Sequence, residues 1–326
     1  MVISSPVSDA VHSAQVVATI GPASRSSVRS LADAGATRFR INASHLDGAE
    51  LASLLSLAHD ACPEVPLVVD LQGAKMRLGL RVARRVTAGE RVRFSSKADA
   101  EVPLPHPEIY GQVAQGDTLT VDDGRMRFEV IEAGQEWLDA RALCDGQLLP
   151  RKGVNVEQHP IRLRRLSERD RDACRVASQH GVRALAFSFM LDGSESEWLR
   201  QAVPGCRVIG KIERGEAARD SATIAARVDE IWICRGDLGA QLGPAALASF
   251  VGALDPRQLP VPVLMAGQVL EHLTEHREPT RSEVCHLFDL VSRGYAGIVL
   301  SDETAVGNDP VHAVSTAAAL LDSFRP

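Results

Sequence analysis

Aromatic residues make up only 4% of this 326-residue sequence, although 45% of it is hydrophobic. So few aromatic rings offer no stacking platform for single-stranded nucleic acid. The net charge is −6, and no long run of Lys or Arg occurs. Nucleic-acid binding needs a clustered cationic face, so the sequence predicts no nucleic-acid partner.

Paired cysteines, a leader and long apolar runs are also missing. The six cysteines contain no CxxC pair, which favours reduced, buried thiols over a disulfide framework or a zinc site. The N-terminal MVISSPVSDAVHSAQ lacks a basic region followed by an apolar run, so it does not resemble a signal peptide. No apolar stretch reaches bilayer-spanning length. We therefore expect a soluble, cytoplasmic protein with no membrane partner.

A short apolar run, a loop and an amphipathic helix alternate along the chain. Continuous apolar strands are typical of a parallel sheet that is buried on both faces. Eight such strands are predicted, at residues 16–20, 37–41, 66–70, 184–187, 207–211, 230–234, 261–265 and 297–300. Eight strands with intervening helices predict an α/β fold, the (β/α)₈ TIM barrel.

One interval interrupts this alternation. More than a hundred residues separate the third strand from the fourth, far more than a barrel crossover needs. They alternate polar and apolar residues around Asp-Gly and Gly-Asp turns, which predicts a small all-β domain. The expected division is barrel at 1–77, inserted β domain at 78–152 and barrel again at 153–326. An insert after strand 3 would project from the catalytic face, where a lid would lie.

Charged residues follow the fifth and sixth predicted strands. Lys211 and Glu213 are two positions apart on an extended segment, so both side chains point the same way. Asp237 follows the next strand, and carboxylates from adjacent strands suit Mg²⁺ or Mn²⁺. A lysine beside them would neutralise a phosphoryl oxygen. The structural alternative is a buried ion pair between Lys211 and Glu213.

A polar cluster directly follows the second strand. Arg40, Asn42 and His45 could contact a phosphate or a nucleotide. Alternatively, Ser44 caps the next helix while Arg40 is solvated.

Basic residues bracket the insert. Arg77 precedes it and Arg151-Lys152 ends it, which would bring cations over the barrel mouth when a lid closes. The alternative is a solvated surface. Asp122-Asp-Gly124 inside the insert is read as a hairpin turn, with a lid carboxylate as the alternative.

From Val16 to about Ala319 the sequence resembles the pyruvate kinase family. The matching strings, in order, are ATIGPAS, RINASH, DLQGAKMRLG, VDDG, RKGVN, GKIERGEA, ICRGDLG, PTRSEV and SDETAVGNDP. The resemblance implies that Glu213 and Asp237 bind the divalent cation, Mg²⁺ or Mn²⁺. It also implies that Lys211 stabilises the transferred phosphoryl group and that Arg40 contacts phosphate.

Three further groups of residues are implied by the same resemblance. The monovalent-cation pocket would comprise Asn42, Ser44, Asp70 and Lys75. The nucleotide would lie near Pro22, His45, Arg77 and Lys152. The substrate would contact Ser188, Gly236 and Gly267, with the Gly236 and Asp237 amides holding its carboxylate.

Lys75 assigns the sequence to one branch of that family. Members that require K⁺ carry an acid at this position, whereas another branch has lysine, with Leu-Gln ahead of the glycine, as Leu71 and Gln72 are here. Because an ammonium can replace K⁺, activity is expected to be independent of K⁺.

The departures from the family pattern are Gly267 in place of a threonine, Leu191 in place of an arginine and Asp302 in place of a glycine. The insert is short, and the C-terminal domain with the family's sugar-phosphate site is expected to be absent. A monomer, or a homodimer through the barrel, is therefore expected.

These features predict a phosphotransferase that converts phosphoenolpyruvate and ADP to pyruvate and ATP with magnesium. Because Gly267 enlarges the keto-acid side, a related kinase using phosphoenolpyruvate or nucleotide with another acceptor is the first alternative. A metal-dependent lyase acting on a pyruvate enolate is another, although it would not need the insert. A non-catalytic sensor is a fourth possibility, but it would be expected to lose Lys211 or a metal carboxylate.

Overall fold

The computed structural model of the chain describes residues 14–122 and 124–324, with His45 described by its backbone alone. Its centre is a closed barrel of parallel strands in the order β1-β2-β3-β13-β14-β15-β16-β17. These strands are β1 Gln15–Thr19, β2 Arg38–Asn42, β3 Leu67–Leu71, β13 Ala184–Phe187, β14 Arg207–Ile212, β15 Glu230–Cys234, β16 Val263–Ala266 and β17 Gly297–Leu300. The predicted (β/α)₈ barrel is confirmed.

Helices alternate with these strands. They are α1 Val28–Asp33, α2 Gly48–Ala61, α4 Glu168–Gln179, α5 Glu195–Ala202, α6 Gly215–Arg219, α7 Ser221–Ala225, α8 Arg235–Leu242, α9 Pro244–Ala253, α10 Arg281–Ser292, α11 Asp302–Ala305 and α12 Pro310–Ser323, while α3 Pro107–Tyr110 lies in the insert. Short 3₁₀ turns occur at Ala43–His45, Pro256–Gln258 and Glu271–Thr274.

The apolar strands bury both faces. Inward-facing side chains, among them Val17, Ile209, Trp232 and Leu264, fill the barrel interior. A larger cluster lies between the strands and the surrounding helices. The barrel interior is therefore filled with apolar side chains. In such barrels the polar residues of the site lie at the carboxyl ends of the strands.

Element ends differ from the predictions by small amounts. The strands at 184–187, 230–234 and 297–300 were predicted to the residue, and the others are shifted by one or two positions. Helix α1 begins at Val28, after a turn in which the Ser24 hydroxyl accepts the Gly21 N–H at 3.0 Å. Ser167 caps α4, since its side chain accepts the Asp170 N–H.

Between β3 and α4 the described chain forms a seven-stranded sheet in the order β4-β12-β8-β9-β10-β6-β7, with a separate pair β11-β5. The strands are β4 Met76–Arg77, β5 Arg84–Val86, β6 Arg91–Ser95, β7 Val102–Pro103, β8 Thr118–Val121, β9 Met126–Ala133, β10 Trp137–Ala142, β11 Gly146–Leu148 and β12 Gly153–Val156. The insert has its own apolar core, which includes Phe94 and Phe128.

This sheet extends beyond the predicted limits of 78–152. Its strands β4 and β12, which connect the insert to the barrel, pair antiparallel with Gly153 opposite Arg77. The two connections therefore leave the barrel as one hydrogen-bonded ribbon.

Within the described residues, no helix is both long enough and apolar enough to cross a lipid bilayer.

Candidate active site

A cavity of about 160 Å³ opens at the carboxyl ends of the barrel strands. Its walls bring together residues that are far apart in the sequence. The predicted site residues that line it are Arg40, Asn42, Ser44, Lys75, Arg77, Ser188, Lys211, Glu213, Gly236, Asp237 and Gly267.

Lys211 lies at the centre of the polar network in this cavity. Its Nζ is 3.0 Å from Asp70 Oδ2 and 3.1 Å from Glu213 Oε1. It also donates to the Ser188 hydroxyl at 2.9 Å, and that hydroxyl donates to the Leu71 carbonyl oxygen. Burial alone would lower the pKa of Lys211, but Asp70 and Glu213 raise it above its usual value. The ion pair considered from the sequence does form, and it forms in the cavity wall.

Asp70 is 1% exposed and lies behind the cavity lining, where it forms ion pairs with two cations. Besides Lys211 it accepts from Arg40, whose Nε is 2.8 Å from Asp70 Oδ2. Arg40 also donates to the Thr19 hydroxyl at 2.9 Å. Burial would raise the pKa of Asp70, but Lys211 and Arg40 hold it below its usual value. The Asp70 carboxylate thus binds both cations.

Each carboxylate oxygen of Glu213 has a partner. Oε1 faces Lys211, and Oε2 accepts the Phe189 N–H at 2.7 Å. Phe189 has φ of +56°, in the left-handed region that non-glycine residues rarely adopt. This backbone turn after β13 directs the N–H towards Glu213.

The second carboxylate, Asp237, lies in the first turn of α8. Together with Glu213 it gives the cavity two carboxylates, one directly after β14 and one in the helix that follows the neighbouring strand β15. No cluster of three or more His, Cys, Asp or Glu side chains that could hold a metal exists in the part of the chain that the structure describes. Mg²⁺ commonly takes one or two protein carboxylates and completes its shell with water and substrate phosphate. The pair therefore fits a magnesium site that substrate would complete.

Lys75 is placed differently from its expected position among Asn42, Ser44 and Asp70. Its Nζ donates to Asp237 Oδ1 at 2.6 Å and to Oδ2 at 2.7 Å. The Asn42 side chain instead accepts from the Ser44 N–H and hydroxyl. Within the described residues, Lys75 forms no hydrogen bond or ion pair with Asn42, Ser44 or Asp70.

Three of the four expected nucleotide residues have described side chains, and of these Arg77 lines the cavity whereas Pro22 and Lys152 do not. Arg77 lines the cavity and donates to the Arg151 carbonyl oxygen at 3.0 Å. Pro22 is exposed in the turn after β1, outside the cavity lining. Lys152 forms an ion pair with Asp122 at 2.8 Å, and Asp122 has φ of +55° in the hairpin turn predicted there. The His45 side chain and Asp123 lie outside what the structure describes.

Gly267, at the end of β16, has φ of +77°. A Cβ built at this position would lie 3.4 Å from the Gly236 nitrogen, an ordinary contact distance. Space is therefore available for a side chain here, but the backbone conformation favours glycine.

The lining also contains residues that the sequence analysis did not select, among them Gln72, Trp232, Cys234 and Ser301. Trp232 and Cys234 are two positions apart on β15, so strand periodicity could have identified them as facing inward with the site. Burial raises the pKa of the Cys234 thiol well above its usual value. Thr19, which holds Arg40, lies within the string ATIGPAS.

A sequence profile described as "Pyruvate kinase, barrel domain" matches residues 11–314. The chain belongs to the pyruvate kinase family. It is 31% identical to a pyruvate kinase of Agrobacterium vitis over 95% of this chain and 69% of that protein. It is similarly 30% identical to a pyruvate kinase of Thermococcus litoralis, over 94% of this chain and 68% of the relative. A pyruvate kinase of Mycobacterium intracellulare is 31% identical over 94% of this chain and 69% of that protein.

Proposed function

We propose that this pyruvate kinase family member transfers the phosphoryl group of phosphoenolpyruvate to ADP. The observation that carries the proposal is the position of Lys211, which lies between Asp70 and Glu213 in the wall of a cavity that also contains Arg40 and Asp237. Fixed positive charge beside two carboxylates is the arrangement that phosphoryl transfer requires.

Both cations are held by an ion pair in the absence of substrate. Arg40 and Lys211 share the buried carboxylate of Asp70, so neither must be ordered when a phosphate enters. Donors that are already oriented stabilise the charge that develops in the transition state without a cost of reorganisation. Arg40 and Lys211 would contact the moving phosphoryl group from this position.

The organic part of the substrate would lie against the start of α8. There the Gly236 and Asp237 N–H groups belong to the first helical turn, whose N–H groups suit a carboxylate. In the transfer, the bond between phosphorus and the enol oxygen breaks as a bond to the terminal ADP oxygen forms. The enolate then takes a proton from water to give pyruvate.

Glu213 and Asp237 are the residues that would hold Mg²⁺, which when bound neutralises the phosphate oxygens. Lys75 donates hydrogen bonds to both carboxylate oxygens of Asp237, so its ammonium and Mg²⁺ would compete for this carboxylate.

A related kinase with a different acceptor is the second candidate. The observation that favours it is the missing side chain at position 267, where a Cβ would contact only the backbone nitrogens of Gly236 and Arg235. This part of the cavity could admit a group larger than the methylene of phosphoenolpyruvate.

The test is a coupled assay in which purified protein, MgCl₂, ADP and phosphoenolpyruvate produce pyruvate, read through a dehydrogenase. Lys211→Met should lower kcat by at least about 10²- to 10³-fold. Lys97→Met, an exposed lysine in the insert, is the matched control and should retain activity. A wild-type protein that binds ADP with Mg²⁺ but forms no pyruvate would reject the proposal and favour the second candidate.

A further inference from the structure

Phe189 is a buried aromatic residue that faces two cationic side chains. It is 3% exposed, yet it belongs to none of the apolar clusters that the described residues form. The centre of its ring lies 5.5 Å from Lys75 Nζ and 5.4 Å from the guanidinium carbon of Arg214. Both distances are within the range of about 6 Å over which the face of an aromatic ring attracts a cation. The ring therefore has two cations as partners.

The backbone of Phe189 determines where this ring lies. Its φ of +56° is in the left-handed region, which a non-glycine residue keeps only where its surroundings hold it there. The N–H of the same residue donates to Glu213 Oε2 at 2.7 Å. One residue thus contacts a proposed metal ligand through its backbone and the Lys75 ammonium through its ring.

Arg214 depends on the ring for part of its stabilisation. The residue is 4% exposed, and its Nε is buried without a hydrogen-bond partner among the described residues. Its Nη1 donates to the Ile161 carbonyl oxygen at a long distance, 3.4 Å. A buried cation with so few hydrogen bonds is unfavourable, and the face of the Phe189 ring offsets part of that cost. The surroundings of this ring are therefore electrostatic as well as apolar.

Lys75 is confined at both its tip and its stem. Its Nζ donates to both carboxylate oxygens of Asp237, at 2.6 and 2.7 Å, and its side chain is 17% exposed. A Cβ built at Gly153 would lie 3.5 Å from Lys75 Cε, so the backbone of β12 runs along the stem. The Phe189 ring adds a further contact at the ammonium itself. Loss of the ring would leave Asp237 as the remaining partner of the ammonium within the described residues.

We propose that Phe189 is a positioning residue, whose ring holds the Lys75 ammonium on Asp237 and so sets the affinity of the divalent-cation site. The inference rests on the function proposed above only in taking Glu213 and Asp237 as the metal ligands. The ammonium must leave the Asp237 oxygens for a divalent cation to bind there. By stabilising the ammonium in its present position, the ring lowers the affinity for the divalent cation.

Mn²⁺ titration followed by electron paramagnetic resonance, with the metal alone, measures this effect. Phe189→Leu removes the ring and keeps the backbone N–H. We expect the Mn²⁺ affinity to rise about two- to threefold, the size of a weak cation–π interaction. The same substitution in Lys75→Met should change the affinity less than about 1.5-fold, because the cation that the ring holds is gone.

The matched control is Phe187→Leu, the same change at the last residue of β13. Phe187 is fully buried, and its ring packs edge-on against Trp198 in the apolar cluster between the strands and the helices. This control should leave the Mn²⁺ affinity unchanged. Equal effects in the two variants, or an effect of Phe189→Leu that persists in Lys75→Met, would overturn the proposal, since the ring would then act through packing.

Fluorinated phenylalanines at position 189 preserve the shape of the ring and weaken its attraction for cations. This series tests the proposal even if Phe189→Leu fails to fold. The Mn²⁺ affinity should rise as the number of fluorine atoms increases. An affinity that is constant across the series would overturn the proposal.

A measurement without metal tests the contact itself. In urea denaturation with EDTA, Phe189→Leu should raise the unfolding equilibrium constant about two- to threefold more in the wild type than in Lys75→Met. An equal effect in both proteins would overturn the proposal. A protein that forms no pyruvate in the coupled assay would reject the proposed phosphotransferase, whereas the Mn²⁺ series and the unfolding measurements would still decide the role of Phe189.

Discussion

Lys75 donates hydrogen bonds to both carboxylate oxygens of Asp237, at 2.6 and 2.7 Å, across 162 residues of sequence. The two side chains are only 17% and 19% exposed. The ammonium is also 5.5 Å from the centre of the Phe189 ring. The contact joins the segment that leads into the insert to the helix that opens after β15, across the barrel mouth.

Removing this ammonium should strengthen divalent-cation binding. In Lys75→Met, Asp237 no longer has a competing cation, and a partly exposed ion pair contributes about 1 kcal/mol. Mn²⁺ affinity, measured by electron paramagnetic resonance, should therefore rise roughly fivefold. Lys97→Met is the control and should leave it unchanged. Weaker Mn²⁺ binding in Lys75→Met would mean that the ammonium orients Asp237 for the metal rather than competing with it.

The same lysine makes a prediction about monovalent cations. The Lys75 ammonium binds Asp237 rather than Asn42, Ser44 or Asp70, but it lies in the wall of the same cavity. Positive charge is therefore present in this cavity without K⁺. We expect wild-type activity to be equal in KCl and in tetramethylammonium chloride at matched ionic strength. Lys75→Met should lose activity and recover part of it with KCl. Strong stimulation of the wild type by KCl would contradict this assignment.

The barrel and the centre of its site could be predicted because both rest on local patterns. Apolar runs located the strands, and the two-residue spacing of Lys211 and Glu213 placed both at the exit of β14. The strand ends shifted slightly because pairing with neighbours, and not the apolar run itself, decides where a strand stops. The first and last strands of the insert along the chain, β4 and β12, were not predicted for the same reason. The two-residue strand β4 is recognised only by its pairing with β12.

Other features depend on contacts that no local pattern encodes. The contact of Lys75 with Asp237 requires the closed barrel, because the two residues follow different strands. The left-handed backbone at Gly267 was also invisible, because glycine is compatible with many conformations. The sequence singled out Lys75, Asp237 and Gly267, but not the ion pair between the first two or the backbone conformation of the third.

Gly267 should resist replacement for a backbone reason. Its φ of +77° disfavours any residue with a Cβ, although the space around it is adequate. Gly267→Ala should lower the free energy of unfolding by about 1–2 kcal/mol, and Gly267→Thr by more, because a β-branched side chain tolerates this region least. Gly267→Asn should cost less than Ala, since Asn adopts the left-handed conformation more readily.

Urea denaturation of the three variants at neutral pH would provide the measurement. A Thr variant with the wild-type midpoint and slope would show that the loop after β16 is not held in this conformation. It would also make Gly267→Thr a clean test of the acceptor, which strain would otherwise complicate.

Asp170 should make stability depend on pH. It is buried, and its carboxylate accepts the Gln72 and Gly73 N–H groups at 3.0 and 3.1 Å and the Ser167 hydroxyl at 3.0 Å. Burial raises the pKa of Asp170 from its ordinary 3.8 to about 6, against the lowering effect of those donors and of Arg169. Because the folded-state pKa is the higher one, the stabilising contribution of protonation is complete below about pH 4. It is lost as the pH rises through about 6.

Urea melts of the wild type and Asp170→Asn between pH 4 and 7 would isolate this contribution, because other titrating groups are common to both proteins. The wild type should lose stability relative to the variant over this interval, by roughly 3 kcal/mol for a shift of this size. The variant should be less stable at pH 4, since the Asn NH₂ group cannot accept the second backbone N–H, whereas the hydroxyl oxygen of a protonated carboxyl keeps a lone pair that can. A difference that stays constant with pH would show that Asp170 is ionised throughout, and that its three donors outweigh the effect of burial.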